Sequence, residues 1–251
     1  MAVQSPDFAT SLTAVGLSIL GSLGGLLTAS LVLLVNKDLR TRLVPWLVSY
    51  AVGTLLGVSL FDLLPTALEK LHTNTAMYTL VAGILTFFIL EKVVLWHHCH
   101  DGEECSAHAR AASLVVVGDT VHTFVDGAVI AAATMVSPML GITTALAVAA
   151  HEIPQEVGDA AILLSAGYSR RATMGLNLAS AAGGVVGALM MLAFGASAPA
   201  VVPHVLAFAA GAFLYVAMAD LIPSLHAGRF DAGSFRQLAL IVLGLVTLAV
   251  I

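Results

Sequence analysis

Charged residues are scarce in this 251-residue chain. They make up 10% of it, whereas soluble globular domains carry roughly 25%. Ten Lys and Arg with fifteen Asp and Glu cannot cover the surface of a water-soluble protein of this size. A formal net charge of −5 without a basic run argues against nucleic acid as a partner. Two cysteines are too few for a disulfide scaffold.

Long hydrophobic runs take the place of charge. Hydrophobic residues make up 59% of the chain, and the mean hydropathy is +0.99. A helix that crosses a bilayer needs about 20 mostly apolar residues. We therefore predict an all-α polytopic membrane protein with the lipid bilayer as its surroundings and eight transmembrane helices. Their approximate bounds are 8–35, 43–67, 71–96, 111–136, 139–167, 172–196, 201–225 and 234–251.

Basic residues alternate between the predicted connections. Nine of the ten Lys and Arg lie after helices 1, 3, 5 and 7, and Lys70 alone lies on the other side. Basic residues concentrate in cytoplasmic loops. This pattern predicts that these four connections are cytoplasmic and that both termini are extracytoplasmic.

Helices 2 and 7 contain an internal repeat. Ala51–Pro65 aligns without gaps to Ala209–Pro223, and the two segments end in Asp62-Leu-Leu-Pro65 and Asp220-Leu-Ile-Pro223. By the basic-residue pattern, helix 2 runs outward and helix 7 inward, so the copies are inverted. Inverted repeats are common in transporters, whose substrate site lies near the bilayer midplane. Asp62 and Asp220 are predicted either to line the substrate pathway or to cap helices before proline.

Helices 4 and 5 carry ionisable residues at bilayer depth, where such groups are costly and indicate function. On each helix they occupy an arc of about 100°. Helix 4 contributes Asp119, His122, Thr123 and Asp126, and helix 5 contributes His151, Glu152, Gln155, Glu156 and Asp159.

Imidazole combined with carboxylate and amide oxygen favours Zn²⁺ and its first-row neighbours over Ca²⁺ or Mg²⁺. We predict that His122, Asp126, His151, Glu152 and Gln155 bind the metal. Thr123 is either a further ligand or bonded to a backbone carbonyl. The role of three carboxylates is left open between metal binding, support of the metal ligands and proton handling: Asp119, Glu156 and Asp159.

The predicted connection 97–110 is rich in His, Cys and acidic residues, and such tracts bind metals. It contains His97, His98, Cys99, His100, Cys105 and His108. The spacing of Cys99 and Cys105 is too wide for a structural zinc site. The tract is predicted to receive or sense metal on the cytosolic side, or to be an ordinary solvated loop.

GDTVHTFVDG in helix 4 and HEIPQEVGDAAILLSAGYS in helix 5 resemble the signature helices of ZIP (Zrt-, Irt-like) metal transporters, particularly the LIV-1 branch. FFILEKVVLWHH and the two D-L-x-P segments are similar too. The resemblance covers all eight helices. It implies eight helices with external termini, and two inverted three-helix units, helices 1–3 and 6–8, around helices 4 and 5. It also implies import of Zn²⁺ and related ions by alternating access.

The resemblance further implies a two-metal centre. His122, Asp126, His151 and Gln155 match one site, and Thr123, Asp126, Glu152 and Gln155 match the other. Thr123 stands where the family usually has Asn, and Gln155 where the LIV-1 branch has His. Both departures weaken the second site.

We therefore predict a Zn²⁺ importer that is not an enzyme, with Cd²⁺, Fe²⁺ and Mn²⁺ as further candidate substrates. A prokaryotic source and the bacterial cytoplasmic membrane are expected from short loops and no sorting signal. Oligomeric state stays open, a homodimer included.

One alternative is an intramembrane zinc metalloprotease, because His151-Glu152 begins a zincin motif, although Gln155 stands where that motif needs His. The other is a proton or cation channel.

Overall fold

A computed structural model of the chain describes residues 6–96, 104–225 and 232–250. These ranges form eight helical runs joined by short connections, without a strand. The runs are α1 (Phe8–Leu34), α2 (Lys37–Gly57, Val58–Leu63 and Leu64–Leu68), α3 (Thr73–Trp96), α4 (Glu104–Val136), α5 (Pro138–Ser165), α6 (Arg170–Ser197), α7 (Val201–Tyr215, Val216–Leu221 and Ile222–Leu225) and α8 (Ala232–Val250).

Seven of these runs in the described ranges are long and apolar enough to cross a membrane. The remaining run, α5, has 28 residues, which is ample length, and its His and acidic residues lower its hydropathy. The all-helical polytopic membrane fold predicted from composition is confirmed, while eight membrane crossings remain a prediction.

Side-chain caps begin several helices sharply. The Thr10 backbone N–H donates to Asp7 at 2.7 Å, and hydrogen bonds from Thr10 hold the pKa of the Asp7 carboxyl below its usual value. The Leu39 N–H donates to the side-chain oxygen Oδ1 of Asn36 at 2.9 Å. Such caps satisfy backbone donors that have no partner within the helix.

The cap at Asn36 corrects one expectation. The segment from Lys37 to Arg42, predicted as part of a connection, forms the first turns of α2. Lys and Arg are good helix formers, and their long side chains reach the membrane surface from a helix end. Their position near the end of the bundle is unchanged.

The repeat of α2 and α7 extends to an unusual backbone feature. Each helix contains a π-helical turn, at Val58–Leu63 and at Val216–Leu221, and the two turns occupy matching positions of the aligned segments. The N–H after each turn bonds five residues back, from Leu64 to Ser59 and from Ile222 to Ala217. Proline follows directly in both helices, and its ring clashes with the carbonyl four residues earlier, which favours the wider turn.

Helix pairing follows the same symmetry. The backbones of α2 and α8 meet at Gly53, where a Cβ atom would collide with the Ile241 carbonyl. At the matching position of α7, a Cβ atom on Gly211 would collide with the Leu80 carbonyl of α3. Small residues permit this close packing of membrane helices. The two pairs flank α4 and α5, of which α4 contacts α1, α5, α6 and α7.

Candidate metal centre

Four ligand atoms from α4 and α5 converge in the centre of the bundle. His122 and Asp126 lie one turn apart on α4, and His151 and Glu152 are neighbours on α5. One ligand atom of each lies within 4.8 Å of the ligand atoms of the other three. The exposed fraction of these residues is between 0% and 6%, so the cluster is buried within the bundle.

The imidazole nitrogens point at one another across the helix interface. The two Nε2 atoms of His122 and His151 are 3.1 Å apart, and Asp126 Oδ2 lies 3.1 Å from His151 Nε2 and 3.5 Å from His122 Nε2. His151 Nδ1 lies 3.0 Å from the Ala147 carbonyl, an acceptor, so Nδ1 carries the proton and Nε2 presents a lone pair. This is the usual arrangement of a metal-binding imidazole.

Several oxygens of the cluster lack hydrogen-bond partners. Among the described residues, Asp126 Oδ1 and both carboxylate oxygens of Glu152 are buried and without a partner. Buried polar atoms are normally bonded, because leaving them unpaired is costly. The sequence has no Lys or Arg between Arg110 and Arg170 that could neutralise them. Two nitrogens and two carboxylates around one point fit a divalent transition-metal ion.

Aromatic side chains enclose the two imidazoles. The ring of Phe87 meets that of His122 edge-on with centroids 5.4 Å apart, and Phe213 lies 5.7 Å from His151. Phe213 is fully buried. These contacts restrict the orientations of the two imidazole rings.

Asp119 is a hydrogen-bonding hub beside the four ligands. Gln155 Nε2 donates to Asp119 Oδ1 at 2.9 Å, and the Ser180 hydroxyl of α6 donates to Oδ2. The Thr123 hydroxyl donates to the Asp119 backbone carbonyl at 2.7 Å. Gln155 and Thr123, two of the predicted ligands, therefore point toward Asp119 in this structure.

Glu156 and Asp159 lie further along α5. The Asn177 amide donates to Glu156 Oε2 at 2.6 Å, while Glu156 Oε1 is buried without a partner among the described residues. Asp159 is half-buried and faces a cavity shared with His122.

Two cavities lie toward opposite ends of α5. The first, of about 340 Å³, is lined by His122 and by the acidic residues Glu91, Asp119, Asp159 and Asp220. The second, of about 420 Å³, lies beside the turn at Ser137 and is lined by Asp62, Glu69 and Lys70. None of the four ligands lines the second cavity. The cluster therefore opens toward the Asp220 side of the bundle.

Three contributors were missed in the sequence analysis. Glu91 accepts a hydrogen bond from the Tyr215 hydroxyl, and Asn177 and Ser180 hold Glu156 and Asp119. Glu91 is an acidic residue in an apolar run. Asn177 and Ser180 are polar residues one helical turn apart in a charge-free segment, which is a recognisable signal for one polar face.

The His- and Cys-rich tract falls largely outside the described residues. His97, His98, Cys99 and His100 lie in the range 97–103, and the side chains of Cys105 and His108 are likewise outside the description. The prediction for this tract stays a prediction.

Residues 96–251 match the family described as ZIP Zinc transporter. Zinc transporter ZIP13 of Pongo abelii is 34% identical over 219 residues, which cover 80% of this chain and 65% of that protein. Human zinc transporter ZIP13 is 31% identical over 255 residues, covering 80% of this chain and 69% of the relative. Human zinc transporter ZIP10 is 37% identical over 147 residues, covering 54% of this chain and 18% of the relative.

The chain thus spans 65% of the first of these relatives and 18% of the ZIP10 protein. The family match covers more than half of the chain, and one relative is at least 30% identical over more than two thirds of its own length. This chain therefore belongs to the ZIP zinc transporter family.

Proposed function

We propose that this protein is a transporter, not an enzyme, and that it carries Zn²⁺ across a membrane toward the cytosol. The observation that carries the proposal is the buried cluster of His122, Asp126, His151 and Glu152 with its unpartnered carboxylate oxygens. The relatives named above are all zinc transporters, which supports the choice of metal. Cd²⁺, Fe²⁺ and Mn²⁺ share the required ligand chemistry and are further candidate substrates.

The ligands have distinct roles in this proposal. His151 and His122 supply nitrogen lone pairs, and the carboxylates of Asp126 and Glu152 supply charge. Gln155 and Thr123 join the metal once it competes with Asp119 for them, and Asp119 orients both in the meantime. A second metal would need Thr123, Asp126, Glu152 and Gln155, whose neutral members bind weakly. Ligands without thiolate suit a substrate that must be released again.

The two cavities define the proposed route. A hydrated cation meets Asp62 in the outer cavity, exchanges water for ligands at the cluster, and leaves past Asp119, Asp159 and Asp220. We take alternating access as the mode of transport, and a cluster that borders one of the two cavities and not the other supports it. The tract containing His97, His98, Cys99, His100, Cys105 and His108 would receive the metal.

The finer classification rests on the sequence. We propose that the chain belongs to the LIV-1 branch and lies in a bacterial cytoplasmic membrane with both termini outside, and its oligomeric state, a homodimer included, stays open. Support for the orientation is the distribution of nine of the ten basic residues. Short connections such as Val35–Asn36 support a prokaryotic source.

Zinc flux into proteoliposomes tests the proposal. Asp126→Ala removes a carboxylate that contacts both imidazoles, so we expect saturable Zn²⁺ uptake to be abolished while the protein remains folded. Asp38→Ala changes an exposed carboxylate at the start of α2 and is the matched control, with uptake unchanged. Normal uptake by the Asp126 variant would refute the assignment. Proton or cation currents without saturable Zn²⁺ dependence would favour a channel, and cleavage of membrane peptides would favour a protease.

A further inference from the structure

A third cavity, of about 160 Å³, lies apart from the proposed metal route. It is bounded by the end of α1, the first turn of α2, the end of α5 and the beginning of α6. Its apolar walls include Leu26, Leu33, Leu164 and Met174. The proposed metal ligands and the residues of the other two cavities are absent from its lining.

Two guanidinium groups stand at one end of this cavity. Arg40 comes from the first turn of α2, and Arg170 is the first residue of α6. Neither side chain has an ion-pair partner among the described residues. This end of the cavity therefore attracts an anion.

The charged and amide side chains lie at the two ends of the cavity, and the hydroxyl residues Ser30 and Thr173 also line it. Asn177, at the inner end, lies seven residues after Arg170 on α6, which corresponds to about 10 Å along the helix. Its amide donates to Glu156, the one acidic residue in the lining. The separation keeps this carboxylate away from an anion at the guanidinium end, while the apolar walls between them suit hydrocarbon.

The outer face of this region is built for lipid. Leu27 and Leu31 of α1 are 66% and 64% exposed, and Leu178 of α6 is 51% exposed. In a membrane-spanning chain these side chains contact acyl chains. A molecule entering the cavity from this side is therefore a lipid. Basic pockets between membrane helices bind anionic headgroups.

We propose that this cavity binds one anionic phospholipid, with its phosphate between Arg40 and Arg170 and an acyl chain along the apolar walls. The lipid would bridge α1 and α2 to α5 and α6, and so tie the first helices to the helix that carries His151 and Glu152. The lining shares Glu156 and Asn177 with the acidic surroundings of the metal centre, whereas Arg40 and Arg170, which would hold the phosphate, are separate from the proposed metal ligands.

Native mass spectrometry of the full chain tests this site. The protein is mixed with phosphatidylglycerol or phosphatidylcholine, and the fraction that retains one lipid is measured. Each basic group near an anionic surface contributes about 1 kcal/mol, so Arg40→Gln and Arg170→Gln should each weaken phosphatidylglycerol binding about fivefold. Phosphatidylcholine binding should not change.

Arg42→Gln and Arg171→Gln are the matched controls, because they remove the same charge from the same helix starts outside the lining. Equal losses of phosphatidylglycerol binding in the controls would mean that general surface charge causes the effect, and this result would overturn the site. Glycerol phosphate, which has no acyl chain, should not displace the lipid at equal concentration, and full displacement would identify an anion site instead. Thermal melting in phosphatidylcholine confirms that each variant is folded. Lipid binding can fail while zinc uptake persists, so the two proposals are separable.

Discussion

At the scale of single residues, Asp119 is the group whose role the structure clarifies most. It accepts from Gln155 and Ser180 through its carboxylate, and from Thr123 through its backbone carbonyl. A residue that orients ligands tolerates different substitutions from a residue that binds the metal itself. An orienting residue can be replaced by another acceptor, whereas a metal-binding carboxylate loses its charge on conversion to an amide.

We expect Asp119→Ala to weaken Zn²⁺ binding by about 10- to 100-fold, the range typical of groups that hold metal ligands in place. Asp119→Asn should retain most of the affinity, because its amide oxygen still accepts from Gln155. Zinc titration of the purified variants measures both. Equal losses in Ala and Asn would instead make Asp119 a direct ligand.

The sequence predicted which residues would meet, and less well which atoms would pair. His122 and Asp126 follow from helical spacing, because positions one turn apart share a face, and His151 and Glu152 are neighbours that lie within one polar arc of about 100°. The pairing of Gln155 with Asp119 could not be predicted. The polar faces of α4 and α5 meet at Asp119 and Gln155. Residue spacing alone does not decide whether an amide at this position binds a metal or a neighbouring carboxylate.

At the scale of helices, the repeat predicted more than a shared sequence. The alignment of Ala51–Pro65 with Ala209–Pro223 placed Asp62 and Asp220 at matching positions, and the structure adds matching π-helical turns there. Proline indicated a disturbed helix at both places, but a stop, a kink and a wider turn are all consistent with proline. Tertiary packing decides which of these three outcomes occurs, and a local sequence pattern does not contain that information.

Close helix packing at Gly53 gives an element-scale prediction. Gly53→Ala places a methyl group against the Ile241 carbonyl of α8, so we expect it to destabilise the fold by about 1–3 kcal/mol. Gly175→Ala on α6 meets open space and should stabilise by about 0.5–1 kcal/mol, because alanine favours helix. Unfolding in mixed micelles measures both changes. Destabilisation of equal size in the two variants would show that close packing is not the cause.

At the scale of the whole molecule, the two acidic cavities and the central cluster form a discontinuous path. His122 lines the cavity that contains Asp220, whereas none of the four cluster residues lines the cavity that contains Asp62. The basic residues predict that the Asp220 side faces the cytosol. Composition sufficed to predict the membrane fold, and the orientation stays a prediction from charge alternation. Composition and charge alternation could not predict which cavity is open, because that depends on the packing of helices far apart in sequence.

Cysteine labelling tests the orientation and the open side together. In a background with Cys99→Ser and Cys105→Ser, Thr66→Cys lines the Asp62 cavity and Ile162→Cys lines the Asp220 cavity. A membrane-impermeant maleimide should label the first variant in intact cells and the second in inside-out vesicles. The reverse pattern would invert the topology. In inside-out vesicles, Zn²⁺ held by the cluster should slow labelling of Ile162→Cys by crowding the cavity that His122 lines. In intact cells, Zn²⁺ should leave labelling of Thr66→Cys unaffected, because none of the four cluster residues lines that cavity.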